Sequence, residues 1–324
     1  MRLVRYWMLL AAAAAFAAGA APLDDLARKA ANGSAEAAQE IARQAAAGDT
    51  QAEHLMGMMH ISGKGAEQSD SQALDWFLRA ARKGHVESQH NAAVIYESTE
   101  GTLKNAAEAR RWYRTAAEQG LARSQAKLGA LLLDGVGGAA DLDEGRQWLE
   151  KSAAQGNPYG RYRLGLLHLE GRGTERDVDA AARLFQQAAD GGDRGARYQL
   201  ALLHGTGTGV EKSDAKALAL LRQSAEQGLP EAQFLLSAIY STGQYGVQRD
   251  DKLAVRWMRR AAVQGYADAE FSLGLAYAEG RGVKRDAQEA YGWMLRASRR
   301  GHAPARAYVK DIEWQMEKKR QRRN

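Results

Sequence analysis

The chain has 324 residues, of which 45% are hydrophobic and 26% are charged, and its formal net charge is +6. It contains no cysteine, which excludes thiol catalysis, zinc–thiolate sites and disulfides. The positive charge is concentrated at the two ends. Removing Arg2 and Arg5 leaves +4, and residues 302–324 alone also sum to +4. The segment between them is neutral overall, which argues against a nucleic-acid-binding face.

Residues 1–20 have the pattern of a secretory signal peptide. Two arginines precede an apolar run from Trp7 to Ala18, and the small residues that end at Ala20 suit cleavage after it. An uncleaved membrane anchor is the alternative, but the run is shorter than the roughly 20 residues that a spanning helix needs. We therefore expect a periplasmic or secreted protein, and not a lipoprotein, because no cysteine is available for lipid attachment.

A glycine that closely follows a pair of small residues recurs every 36 residues, with one step of 37. These anchor glycines are Gly48, Gly84, Gly120, Gly156, Gly192, Gly228, Gly265 and Gly301. Such a period is typical of stacked structural repeats. It predicts an N-terminal partial repeat or capping helix, seven full repeats, and a C-terminal capping helix with a basic tail. Their limits are 21–48, 49–84, 85–120, 121–156, 157–192, 193–228, 229–265, 266–301 and 302–324.

Each repeat is predicted to form two helices. Its first half places apolar residues at helical spacing and runs into a Gly-x-Gly turn, as at Gly280 and Gly282. An Asp or Asn then precedes the second helix, where it would cap the amide groups of the first turn. The predicted caps are Asp70, Asn105, Asp141, Asp177, Asp214, Asp250 and Asp286. One hairpin cannot bury its apolar face alone, so the pattern predicts an all-α solenoid.

A large apolar residue lies eight positions before each anchor glycine. We interpret this column as core, filling the gap between the two helices of a repeat. The column comprises Trp76, Trp112, Trp148, Leu184, Leu220, Trp257 and Trp293.

The last repeat shows the full pattern. Its matching residues are Ala269, Leu273, Gly274, Tyr277, Gly280, Gly282, Val283, Asp286, Ala290, Trp293, Ala297 and Gly301. This pattern resembles the Sel-one-like repeat, a relative of the tetratricopeptide repeat, over about residues 36–301. The resemblance implies a right-handed superhelix that binds proteins. It also implies similarity to exported bacterial adaptors in envelope assembly, polysaccharide secretion, signalling control or host contact.

A second aromatic column lies six residues after each anchor glycine. In the tetratricopeptide fold, the matching face of the first helix lines a concave groove. Residues three or four positions away share that face and add a charged rim. We predict that this surface, the first-helix stripe, binds a peptide or helix of a protein partner; strong curvature would instead bury it. The predicted binding residues are His54, His90, Tyr162, Tyr198, Phe234 and Phe271 of the column, with Glu87, Arg123, Tyr159, Glu231 and Asp268 of the rim.

Other kinds of site have simpler structural explanations. The only plausible metal location is His54 with His90, which lacks a convincing third ligand. The Gly-x-Gly turns follow no strand and precede no Lys-Ser/Thr, so they are turns rather than phosphate loops. No Gly-x-Ser-x-Gly elbow occurs. We therefore expect no catalytic residue, metal or cofactor. The enzyme alternative is a hydrolase of β-lactamase type, which the resemblance associates with a cysteine-rich branch.

The C-terminal segment continues a helical pattern in which Trp314 is expected to cover the last hydrophobic surface. Its basic end is either a solvated terminus or a contact for an anionic polysaccharide or lipid. The residues concerned are Lys318, Lys319, Arg320, Arg322 and Arg323. The leading hypothesis is a non-enzymatic scaffold or adaptor of the bacterial cell envelope.

Overall fold

The computed structural model of the chain describes residues 22–98 and 101–321, with side chains from 23–98 and 102–314. These residues form seventeen α-helices and one 3-10 turn, Gly101–Leu103, and they include no strand. The predicted all-α repeat solenoid is confirmed. The helices are α1 Pro22–Ala31, α2 Ala35–Ala46, α3 Thr50–Ser62, α4 Asp70–Arg82, α5 Val86–Ser98, α6 Ala106–Glu118, α7 Ala122–Asp134, α8 Leu142–Ala154, α9 Pro158–Glu170, α10 Val178–Asp190, α11 Arg194–Thr206, α12 Asp214–Glu226, α13 Pro230–Thr242, α14 Asp251–Val263, α15 Ala267–Glu279, α16 Ala287–Arg299 and α17 Ala303–Gln321.

The N-terminal segment folds as two helices rather than the single one expected. Helix α1 ends before Gly33, whose φ of +96° suits glycine, and Ser34 then caps α2 by accepting a hydrogen bond from the Ala37 amide at 3.2 Å. This pair resembles the hairpin of a repeat. The predicted signal peptide, residues 1–20, lies outside the described residues.

The chain divides into two compact units. The first unit ends at Arg176 and contains α1 to α9, and the second begins at Asp177 and contains α10 to α17. Within each unit, core clusters combine residues of consecutive repeats. Tyr113 of α6 packs with Leu132 of α7, and Leu221 of α12 packs with Leu236 of α13. Each repeat therefore completes the core of its neighbour, as expected of a solenoid.

The gap between the two helices of a repeat is filled by the residue after the tryptophan column. Phe77 is fully buried against Gly57, where an added Cβ would lie 2.5 Å from its ring. The tryptophan column belongs to the core only in part, since Trp112 is buried in a cluster with residues of α5 and α7. Trp76 instead packs against a cluster formed by α1, α2 and α3. In six repeats the residue directly after the tryptophan column is exposed by 1% or less. These residues are Phe77, Tyr113, Leu149, Phe185, Leu221 and Met294.

Most of the predicted caps of the second helices are present. Asp and Asn cap α6, α8, α10, α14 and α16 through their side chains. At α4 and α12 the predicted cap lies one residue after the residue that caps the helix. Ser69 and Ser213 accept the first-turn amide hydrogen bonds, each at 3.3 Å, so that Asp70 and Asp214 begin the helices.

The Gly-x-Gly segments are turns, as predicted. Gly280 ends α15 with φ +74°, and its amide donates to the Ala276 carbonyl. Two residues later, Gly282 has φ +70° and approaches the backbone of Asp251 so closely that a Cβ would overlap its carbonyl oxygen. Glycine is needed there for conformation and for space.

A column of buried polar side chains links helices within and between repeats. The Gln89 amide donates to the Ala81 carbonyl of the preceding repeat at 3.2 Å and accepts from Gln119 at 2.7 Å. The pairs Gln125–Gln155 and Gln233–Gln264 repeat the latter bond, at 2.7 and 2.8 Å. In the first and last repeats the pair becomes ionic. These ion pairs are Glu53–Lys83, at 2.8 Å, and Glu270–Arg300, at 3.2 Å.

Candidate protein-binding surface

The first-helix stripe lies on α3, α5, α7 and α9 in the first unit and on α11, α13 and α15 in the second. Most of its residues are half-buried, which leaves part of each ring or charged group accessible. The half-buried residues are His54, Arg123, Tyr159, Tyr162, Tyr198, Glu231, Phe234 and Phe271, whereas His90 is buried and Glu87 and Asp268 are exposed.

The histidines of the first unit are tied into its framework. His54 Nδ1 lies 2.9 Å from Ser88 Oγ, and His90 Nδ1 lies 2.8 Å from Ser124 Oγ. Burial lowers the pKa of His54 to about 3, with further lowering from His85 and Arg123. Burial also holds the pKa of His90 well below its usual value. Both rings are therefore neutral near pH 7.

His85, directly after an anchor glycine, acts as a helix cap. Its Nδ1 accepts from the Ser88 amide at 3.2 Å, and its ring centroid lies 4.5 Å from that of His54. Among the described residues, no group of three His, Asp or Glu side chains could hold a metal ion.

Arg123 supplies a positive charge to this part of the stripe. Its Nε is buried and has no hydrogen-bond partner among the described residues. Burial lowers the pKa of Arg123, while the charge of Glu87 raises it. The guanidinium thus places a positive charge beside two neutral imidazoles.

The aromatic pair of the first unit, Tyr159 and Tyr162, is bordered by cations. Their ring centroids are 6.3 Å apart, and Lys127 Nζ lies 5.7 Å from the Tyr159 ring. Arg163 donates to the Tyr159 hydroxyl at 3.4 Å and pairs with Asp134 at 2.9 Å. Lys127 also pairs with Glu97 at 3.0 Å, so this region combines aromatic area with two ion pairs.

The second unit presents aromatic rings with acidic groups. Phe234 packs against Tyr266 with centroids 5.4 Å apart, and Phe271 packs against His302 at 4.6 Å. His302 Nε2 also lies 3.3 Å from the Asp268 carboxylate. Sequence reasoning missed Tyr266 and His302 as members of the stripe. The available signal was their shared position directly after an anchor glycine.

Glu231 is the central acidic group of this region. Its Oε2 is buried without a hydrogen-bond partner among the described residues. Burial raises the pKa of Tyr198, and the Glu231 carboxylate raises it further. The pKa of Tyr266 is raised by burial, then by Asp268 and Glu231. Glu231 thus places a carboxylate beside the Tyr198 and Tyr266 hydroxyl groups.

A cavity of about 200 Å³ opens beside Phe234, between α13, α14 and α15. Ala238, Met258 and Leu275 contribute apolar lining, and Asp251 and Arg281 add charges of opposite sign. A partner side chain could enter here while its backbone follows the stripe.

The C-terminal helix covers the last repeat. Ala305 and Val309 are its buried residues, whereas Trp314 is 56% exposed, contrary to its expected covering role. Lys318, Lys319 and Arg320 fall on α17 beyond the described side chains, and Arg322 and Arg323 lie outside the described residues. None of the helices described in the structure combines the length and apolar character needed to cross a bilayer.

Comparison with protein families identifies the repeat. The Sel1 repeat matches residues 50–85, 86–121, 122–157, 158–193, 195–229, 230–266 and 267–302. No curated protein matches the chain.

Three solved structures share this architecture. A protective antigen of uropathogenic Escherichia coli with an SLR fold, c5321, is 31% identical, with 91% of this chain and 68% of that chain covered and a TM-score of 0.58. A Sel1 repeat protein from Oxalobacter formigenes is 27% identical over 96% and 93% of the two chains, with a TM-score of 0.65. Yeast Tom70, at 12% identity, covers 94% of this chain and 66% of its own with a TM-score of 0.52, which shows likeness of fold alone.

Proposed function

Because the chain belongs to the Sel1 repeat family, we propose that it is a non-enzymatic scaffold of the bacterial cell envelope. It binds a protein partner through the first-helix stripe. Repeat arrays of this kind present extended surfaces to partners. The observation that carries the proposal is the half-buried aromatic column of the stripe, which leaves part of the Tyr162, Tyr198, Phe234 and Phe271 rings accessible.

The charged residues of the stripe predict which partner side chains each unit favours. In the first unit, Lys127 and Arg163 beside Tyr159 are paired with Glu97 and Asp134. Arg123 forms no ion pair within the described residues, so this part of the stripe favours an acidic side chain on the partner. The second unit places the Glu231 and Asp268 carboxylates among aromatic rings and favours basic side chains. Rigid aromatic side chains supply most of the binding energy, and the charges select the partner.

The proposal is tested by capturing the partner from an envelope extract with the purified chain. The variant Tyr198→Ala/Phe234→Ala removes two rings of the second unit and should lose the partner. The matched control, Lys252→Ala/Arg256→Ala, changes two exposed residues of α14 outside the stripe and should retain it. Circular dichroism checks that both variants remain helical.

Equal capture by both double variants would refute the assignment of the stripe. A photo-crosslinking residue at position 234, compared with one at position 256, shows whether the partner touches this surface. Binding that is abolished by salt and by deletion of residues 315–324 would instead favour an anionic ligand on the basic tail.

We also propose export, from the signal-peptide pattern of residues 1–20. Amino-terminal sequencing of the protein from the periplasmic fraction or medium should give Ala21 as the first residue. An intact Met1 on the purified native protein would contradict cleavage.

A further inference from the structure

A second surface, which shares no residue with the first-helix stripe, contains another cavity of the second unit. The cavity has a volume of about 700 Å³ and lies between α10, α11 and α12. Its apolar wall includes Ala182, Leu200, Val210 and Leu220. This volume is within the range of roughly 300–1,000 Å³ that is typical of ligand pockets.

The cavity occupies a position that another repeat fills with its own tryptophan. In the first repeat, Trp76 packs against a cluster that includes Met56, and Ala38 and Ala66 pack against the same cluster. Four repeats later, these columns hold Leu220, Ala182, Leu200 and Val210, which all line the cavity. The smaller Leu220 leaves unfilled the space that an indole takes in the first repeat.

The polar groups that accompany the tryptophan have changed as well. Four of the tryptophans carry a cation three residues later, over the ring, at 4.2 to 4.6 Å. In the Leu220 repeat this residue is Gln223. Four residues before the tryptophan, Glu144 accepts from the Trp148 indole at 3.1 Å, and Glu289 does the same for Trp293 at 3.0 Å. The same position in the Leu220 repeat is Lys216.

These changes make the cavity apolar inside and positive at its rim. Lys216 and Arg183 are exposed, and within the described part of the chain neither forms an ion pair or a hydrogen bond through its side chain. Asp179 is the acidic group of the lining, so the charged groups around the cavity sum to a positive value. An occupant should therefore combine an apolar ring with a carboxylate.

We propose that this cavity binds an aromatic side chain of a partner polypeptide that carries an adjacent acidic residue. The ring takes the place that Trp76 takes in the first repeat. The neighbouring carboxylate pairs with Lys216 or Arg183. This recognition is independent of the stripe, because the two surfaces have no residue in common.

The experiment measures fluorescence anisotropy of a labelled hexapeptide, one Trp followed by two Asp between Gly and Ser residues, with the full chain at low salt. Wild type should bind this peptide at least about tenfold more tightly than versions with Ala for Trp or Lys for Asp, which is about 1.4 kcal/mol. No measurable binding, or equal binding of the three peptides, would overturn the proposal.

Three variants locate the binding. Leu220→Trp restores the tryptophan of the other repeats and should fill the cavity, weakening binding at least about tenfold without loss of helicity. Lys216→Glu, an exposed change that leaves the core intact, should weaken binding to a similar degree. Lys212→Glu makes the same charge change outside the cavity lining and should have no such effect. Unchanged binding by Leu220→Trp and Lys216→Glu, or equal loss with Lys212→Glu, would overturn the assignment.

Discussion

The ion pair between Glu270 and Arg300 can be broken from one side or replaced as a whole. The Glu270 side chain is only 3% exposed, whereas that of Arg300 is 49% exposed, and Glu270 Oε2 already has no described partner. Arg300→Gln would leave a buried carboxylate without its cation. Loss of one partner of a fully buried pair costs about 3–5 kcal/mol. Because water reaches Arg300, we expect Arg300→Gln to lower the free energy of unfolding by about 2 kcal/mol.

The double variant Glu270→Gln/Arg300→Gln should recover most of this loss. The preceding repeat uses that arrangement, with Gln233 accepting from Gln264 at 2.8 Å and donating to the Ala225 carbonyl at 2.9 Å. We expect its free energy of unfolding to lie within about 0.5 kcal/mol of the wild-type value.

Urea denaturation monitored by circular dichroism measures the cycle, and hydrogen exchange of residues 287–299 reports local opening in the last repeat. Local exchange is needed because repeat arrays can unfold in parts. The reasoning is refuted if Arg300→Gln costs no more than the double variant.

Three further predictions concern local structure. Burial lowers the pKa of His54 to about 3 from 6.5, so the folded state disfavours the charged ring. The free energy of unfolding of the first unit should therefore fall by up to about 4 kcal/mol as the pH drops from 6.5 towards 3. His54→Phe should flatten this trend in urea titrations at several pH values. Gly282→Ala should lower the thermal midpoint far more than Gly246→Ala, since both have positive φ but only the first would overlap a backbone carbonyl. Ser213→Ala should cost about 1 kcal/mol in urea unfolding through loss of a helix cap, and Asp214→Ala should cost less.

The repeat architecture could be predicted because its signals are local and recur seven times. Glycine at the turn, a polar cap and helical apolar spacing each act within a few residues. A signal that is weak in one repeat can therefore be recognised from the same position in the other repeats. Which of two adjacent large residues enters the gap is harder to predict. Trp76 and Phe77 point in directions about 100° apart on the helix, and the crossing of the two helices selects Phe77.

The sequence predicted which repeat positions form the candidate site, but it did not predict the contacts between their side chains. Spacing after the anchor glycines placed Phe234 and Phe271 on equivalent faces of α13 and α15, and both are half-buried in the structure. Their ring partners, Tyr266 and His302, directly precede α15 and α17, two helices further along the chain. Such contacts depend on how successive repeats are stacked, which a period in the sequence does not specify. The unsatisfied Glu231 oxygen likewise became visible only in three dimensions.

In a repeat protein, departures from the shared pattern are the residues most informative about recognition. The common columns are explained by stacking, because every copy needs them for the same contacts. Leu184 and Leu220 replace tryptophan, and in both repeats the residue three positions later is glutamine. Loss of the indole alone would leave a hollow that weakens packing. At Leu220 the loss is accompanied by Gln223 and by a lysine where two other repeats have an acceptor for the indole, and the proposed binding of an aromatic group from outside the chain rests on this combination.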